Sequence, residues 1–210
     1  TGTEYWQSSI YTDYWSVDVD LLWSAVHPSV LYISKSNVGF VALNSTNGQV
    51  LWSHDSGFSW GIHNRPILSA DETILYTYGD YYQPYTYAIT AVNVSTMVEL
   101  WSCVRYNYNP YMRGMVLSAE EDKLFAFTAS PVLIIAINTT DGEILWRRQG
   151  FPYSTSFDLA QQVPRLSADG ERVYVGESYP RALRGYSTED GILEISFQFD
   201  GITFEEYAIA

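Results

Sequence analysis

Apolar residues in this chain come in short runs separated by Gly, Asn, Asp and Ser. Runs of about four to eight residues bounded in this way read as β-strands. The predicted strands fall into sets of three: 30–34, 39–43 and 50–54; 74–78, 87–92 and 98–104; 124–128, 132–137 and 143–147; 172–176, 182–186 and 192–197. Before each set lies a further short strand, followed by an acidic turn such as Asp169-Gly170. No stretch has the length and capping of a helix; residues 157–162 are too short and lack a capping residue.

The sets are copies of one another. The segment from Ala136 to Trp146 reads as a strand, a tight Asp141-Gly142 turn and a second strand ending in tryptophan. Ala42 to Trp52 repeats it closely, Ala91 to Trp101 repeats it with Met97 in place of the glycine, and Gly185 to Ile195 is a weaker fourth copy. Trp6, Trp52, Trp101 and Trp146 recur at intervals of 46, 49 and 45 residues. A second marker keeps the same beat: Leu68-Ser69-Ala70, Leu117-Ser118-Ala119 and Leu166-Ser167-Ala168 stand 49 residues apart, with Trp23-Ser24-Ala25 as the upstream equivalent. A period of this length filled with strands predicts an all-β propeller of four-stranded blades. The blades are expected at 20–56, 62–106, 111–150 and 160–199. Residues 1–6 read as an outer strand and 203–210 as an inner one, so the expectation is a single domain, 1–210, forming part of a larger propeller of roughly seven or eight blades. A further segment, another copy or a protein partner would complete it.

The repeat resembles the pyrroloquinoline-quinone-type (PQQ-like) propeller repeat of quinoprotein dehydrogenases and their non-catalytic relatives. That signature is roughly Ala-x-Asp-x-x-Thr-Gly-x-x-x-Trp, preceded by a Val-Tyr-Val-Gly strand. Val173-Tyr174-Val175-Gly176, then Ala136, Gly142 and Trp146, then Ala42, Gly48 and Trp52 carry the likeness, and Thr1-Gly2 with Trp6 is a truncated copy. The resemblance implies that Trp6, Trp52, Trp101 and Trp146 are docking residues between blades, with Gly48 and Gly142 shaping the turns. Loss of one such indole, if fully buried, costs about 3–5 kcal/mol. Trp60, in a predicted loop, is the better placed of the tryptophans to meet a ligand.

Charge and composition narrow the function. With 24 Asp and Glu against 11 Lys and Arg, a net charge of -13 argues against nucleic acid and against anionic lipid surfaces. The longest clean apolar run, 132–137, is far too short to span a bilayer, and no membrane insertion is expected. The lone Cys103 rules out an internal disulfide and a cysteine-based zinc site.

The chain departs from the family pattern at the motif aspartate. Asn44, Asn93 and Asn138 stand there instead, each followed two positions on by Thr46, Ser95 or Thr140. All three are N-glycosylation sequons, and the other Asn residues form none. Turn chemistry also favours Asn and Thr at such positions. Occupied sequons would mean N-linked glycans and a secreted, extracellular or cell-surface protein.

Catalytic features of the quinoproteins are not matched. The resemblance implies a calcium-bound quinone, a vicinal cysteine pair and acidic ligands. Here there is one cysteine, and no acidic residue maps onto the ligands one for one. Arg65, Arg113 and Arg165 lie near inner strands, where ordinary loop stabilisation accounts for them. His27, His54 and His63 share no ligand spacing. No catalytic or metal residue is assigned and no cofactor is expected. The leading expectation is a non-catalytic extracellular glycoprotein propeller serving as a structural or protein-interaction scaffold, as a subunit of a surface or filamentous assembly. The alternatives are a fragment of a PQQ- and calcium-dependent oxidoreductase, and a bacterial envelope assembly propeller in which the sequons carry no sugar.

Overall fold

The structure, a computed structural model, describes residues 19–35, 39–54, 66–81, 86–96, 98–106, 112–129, 132–149, 163–178 and 181–199. The expected partial blades at 1–6 and 203–210, together with Trp6, Trp60, His63, Arg65 and Met97, lie outside these residues. Sixteen strands form four antiparallel sheets of four. The first sheet holds β1 (Val19–Trp23), β2 (Val30–Lys35), β3 (Gly39–Asn44) and β4 (Val50–His54). The second holds β5 (Ile67–Leu68), β6 (Ile74–Tyr81), β7 (Thr86–Asn93) and β8 (Glu99–Tyr106). The third holds β9 (Met112–Leu117), β10 (Lys123–Ala129), β11 (Val132–Asn138) and β12 (Ile144–Gln149). The fourth holds β13 (Arg165–Leu166), β14 (Arg172–Ser178), β15 (Arg181–Ser187) and β16 (Leu193–Gln198). In every sheet the strands lie in chain order, as in a propeller blade. Two compact units emerge, Thr1–Tyr108 with the first two sheets and Asn109–Ala210 with the last two.

The repeated alanine and tryptophan have one physical origin. Across three neighbouring strands the register sets Tyr32, Ala42 and Trp52 in a row, and likewise Tyr76, Ala91 and Trp101, then Phe125, Ala136 and Trp146. Each alanine is fully buried, and the two rings on either side meet over it. Centroid separations are 6.1 Å for Tyr32–Trp52, 5.9 Å for Tyr76–Trp101 and 5.8 Å for Phe125–Trp146, all tilted. A larger middle residue would hold the rings apart. The fourth sheet has Tyr174, Gly185 and Ile195 in that row. With no indole to meet, Tyr174 leans over the glycine, so a Cβ there would sit 2.8 Å from the ring.

The turn between the third and fourth strands is wider than a two-residue Asp-Gly hairpin. Gly142 N–H donates to Asn138 O (2.9 Å) and Asn138 N–H to Glu143 O (2.8 Å), spreading the loop over 139–143. Gly142 then takes φ 76°, and the register slips between Ala136 and Ile137. The Asn side chain drives this widening by capturing Thr140 N–H at 2.8 Å. Gly48 plays the same part at φ 71°.

The Leu-Ser-Ala marker is the turn between the first and second strands. Ser69 Oγ accepts from Ile74 N–H (3.0 Å), as Ser118 Oγ does from Lys123 N–H (3.0 Å) and Ser167 Oγ from Arg172 N–H (3.0 Å). Two residues later Asp71 and Asp169 close the turn onto the same hydroxyl, with Asp122 doing so in the third sheet.

Candidate functional site

Both turns lie at the same end of each blade, and they are tied to each other. The residue after the sequon Asn donates its backbone N–H to the neighbouring turn: Ser45 to Ser29 O (2.7 Å), Val94 to Thr73 O (2.9 Å), Thr139 to Asp122 O (3.1 Å). In the fourth blade Thr188 does the same to Glu171 O at 2.9 Å. Thr139 Oγ1 adds a 2.6 Å bond to Glu121 O, and Thr188 Oγ1 a 2.9 Å bond to Gly170 O.

Within the turns, Oδ1 of each sequon Asn faces inward as an acceptor. Asn44 takes Thr46 N–H (2.9 Å) and the Thr46 hydroxyl. Asn93 takes Ser95 N–H (3.0 Å), Ser95 Oγ (2.7 Å), Thr96 N–H (3.0 Å) and Thr96 Oγ1 (3.1 Å). Asn138 takes Thr140 N–H. Each of these duties is met by a carboxylate oxygen equally well, so the turn explains an acceptor and not the amide. Among the described residues no acceptor receives a bond from Nδ2 of these three. All three Asn are half-buried, and Thr46, Ser95 and Thr140 are exposed. In the fourth blade Ser187 Oγ fills the acceptor role, at 3.3 Å from Glu189 N and 3.4 Å from Asp190 N.

Blade junctions supply the residues that sequence reasoning missed. In the first unit, Glu72 reaches from the second sheet to the β1–β2 turn of the first. Its carboxylate accepts from Ser24 Oγ (2.6 Å), Ala25 N–H (2.5 Å), Val26 N–H (3.0 Å) and Tyr32 OH (3.1 Å). Burial works to raise its pKa, but the bonds from Ser24, Val26, Ala25 and Tyr32 together outweigh burial and hold it below the ordinary value. Glu72 has φ 58°, shared by Glu121 at the equivalent position, where the fourth blade uses Gly170. Tyr32 in turn is pushed up to about 12 by burial and by the Glu72 carboxylate.

The second unit joins its blades through the outer strand. Trp146, only 7 % exposed, lays its indole on Gly191 so closely that a Cβ there would fall 2.5 Å from Cε3. Its Nε1–H donates to Thr188 O (3.2 Å), and Arg148 donates to Gly191 O (3.1 Å) and Asp190 O (2.5 Å). Trp146 thus rests on the 188–191 turn of the following blade. Trp101 is buried, while Trp52 is half-buried, packed beside Tyr32 and Phe40.

The other singled-out residues are dispersed. Arg113 is half-buried on β9, Arg165 exposed on β13, His27 exposed in the β1–β2 turn, and His54 ends β4. Cys103 is half-buried on β8, and burial pushes its thiol up to about 12. Among the described residues no three His, Cys, Asp or Glu side chains converge as metal ligands. No helix among the described residues is long and apolar enough to cross a membrane.

No curated protein matches the sequence. Among solved structures, the crystal structure of BamB from Moraxella catarrhalis matches with a TM-score of 0.56 at 15% identity, over 85% of this chain and 48% of that one. The chain therefore spans about half the length of that relative. The model of the PQQ-like repeat family described as outer membrane protein assembly factor BamB matches residues 1–189. With that match running from the first blade to β15 of the fourth, the chain belongs to this family of β-propellers.

Proposed function

We propose that this chain is a non-catalytic propeller scaffold that binds other proteins and carries N-linked glycans at Asn44, Asn93 and Asn138 on a secretory or cell-surface protein. The observation that carries the reading is the repeated use of Asn where only an acceptor oxygen is needed. Three blades place an amide at one equivalent turn, with the hydroxyl residue two positions on exposed and Nδ2 unengaged among the described residues. Glycans there would cover the turn end of the first three blades and leave their sheet faces untouched. Family membership supports the scaffold part.

A second reading is favoured by the family's description: an assembly scaffold of a bacterial envelope, in which the three Asn are turn residues alone. Intact mass and peptide mapping of protein isolated from its source, before and after enzymatic release of N-glycans, separate the two. Sugar at the three sites is expected. Bare asparagine at all three would sink the secretory reading and leave the envelope scaffold. An oxidoreductase is tested separately by adding pyrroloquinoline quinone and calcium to the full-length protein. Stoichiometric quinone uptake with alcohol turnover would overturn the non-catalytic assignment.

A further inference from the structure

One exposed turn carries a reactive pair that the scaffold does not need. Asn47-Gly48 is the chain's single Asn-Gly dipeptide, and Asn47 is exposed. We propose that Asn47 is a site of spontaneous deamidation and that its turn selects the ordinary α-aspartyl product over the isoaspartyl one. The proposal is independent of whether Asn44 carries sugar.

The chemistry follows from the turn. Gly48 has no Cβ to obstruct attack by its own backbone nitrogen. That nitrogen, once its bond to Asn44 O opens and solvent base takes its proton, bonds to Cγ of Asn47; the Cγ–Nδ2 bond breaks and Nδ2 leaves as ammonia, taking a proton from water. The resulting succinimide opens by water addition. Attack at Cγ restores the main chain with an aspartyl side chain, whereas attack at the main-chain carbonyl routes the backbone through the side chain. Gln49 N–H, 3.0 Å from Asn47 Oδ1, polarises the carbonyl under attack. No acceptor among the described residues holds the departing Nδ2.

The selection follows from the other blades. Asp141 and Asp190 occupy the equivalent position, each before a glycine, and take the same N–H bond two residues on, at 2.9 Å from Glu143 and 3.0 Å from Ile192. The closing bond is also the same: Gly48 N–H to Asn44 O (2.8 Å), Gly142 to Asn138 O (2.9 Å), Gly191 to Ser187 O (3.0 Å). In the fourth blade Ile192 N–H and the Ser187 hydroxyl hold Asp190 below its ordinary pKa. An isoaspartyl linkage adds a methylene to the main chain and displaces Gly48 from Asn44 O.

The test is incubation of the whole protein in mildly alkaline buffer, native and in urea. Peptide mapping follows by fragmentation that distinguishes the two aspartyl isomers. It is done without enzymatic glycan release, which itself converts the carrying Asn to Asp. The expected result is loss of amide at residue 47 ahead of Asn44, Asn93 and Asn138, with the α-aspartyl form dominant in the native protein and both isomers in the unfolded chain. An Asn47→Asp variant should keep the parent's urea midpoint. An unchanged Asn47 in native protein, over the time in which the unfolded chain converts, would overturn the proposal, as would a native product that is mainly isoaspartyl.

Discussion

Glu72 is the sharpest test of how the first two blades are joined. Its carboxylate serves two backbone amides and two hydroxyls of the neighbouring blade, with no cation beside it among the described residues. Hydrogen bonds to charged groups contribute about 1.5–3 kcal/mol each, and leaving a buried donor unmet costs about 1–3 kcal/mol. Ala25 and Val26 are exposed, so water can replace the carboxylate there, whereas Ser24 and Tyr32 are buried. Glu72→Ala should therefore cost about 2–4 kcal/mol, well below the sum of four bonds. Glu72→Gln keeps one oxygen for the amides and lets the hydroxyls turn to accept from its NH₂, for a loss of about 1–2 kcal/mol. Urea unfolding gives these numbers, and hydrogen exchange at Ala25 and Val26 localises them. The sign with pH is fixed. A carboxyl whose folded pKa lies below the ordinary 4.5 contributes stability above that value and loses it as pH falls through the folded pKa. Acid should lower the protection of the two amides relative to their intrinsic exchange rate in the parent, and that acid dependence should disappear in Glu72→Gln. An unchanged midpoint at neutral pH together with an unchanged acid limb would refute the reasoning.

Tyr32 titrates from 10.0 up to about 12, so its contribution is whole below its ordinary pKa and lost as pH rises through the folded value; Tyr32→Phe should remove that part of the alkaline limb in a pH series of unfolding midpoints. Cys103, raised to about 12 by burial, should resist thiol reagents near pH 8 in the native protein and react promptly in urea; prompt native reaction would contradict its placement. Gly185→Ala should change stability by less than about 1 kcal/mol. Its Cβ meets the Tyr174 ring edge at 2.8 Å and Ile195 Cβ at 3.3 Å, contacts relieved by a tilt of the ring, and a strand residue gains from having a Cβ.

Legibility in the sequence followed the range of the interaction. The Leu-Ser-Ala marker and the Asn-Gly or Asp-Gly turns were readable because Ser69, Asp71, Asn44 and Gly48 act within a few residues of themselves. Ala42, Ala91 and Ala136 stood out as repeats, but their reason, two rings meeting over a fully buried methyl, appears only when three strands pair. The turn width was misread because Asp-Gly signals a two-residue hairpin, while the Asn four residues before each glycine captures a backbone N–H and enlarges the loop. Glu72 and Arg148 escaped notice because their partners lie 48 and 43 residues away. That separation is about one repeat, and it was the available signal: a residue that joins blades finds its partner one period along the chain.

The central claim is that an outer-strand indole holds one blade by lying on the glycine turn of the next. A matched pair of alanine substitutions isolates it. Gly170 and Gly191 have φ of 73° and 71°, so alanine costs each about 1–2 kcal/mol in backbone strain. A Cβ at Gly170 has nothing within 4 Å, whereas one at Gly191 meets Trp146 at 2.5 and 2.7 Å. Displacing the indole and losing its bond to Thr188 O should add about 1–3 kcal/mol at Gly191 alone. The measurement is the difference in urea unfolding free energy between Gly191→Ala and Gly170→Ala. The account predicts that Gly191→Ala is the less stable by that amount, with Trp146 fluorescence altered; equal losses in the two variants would contradict it.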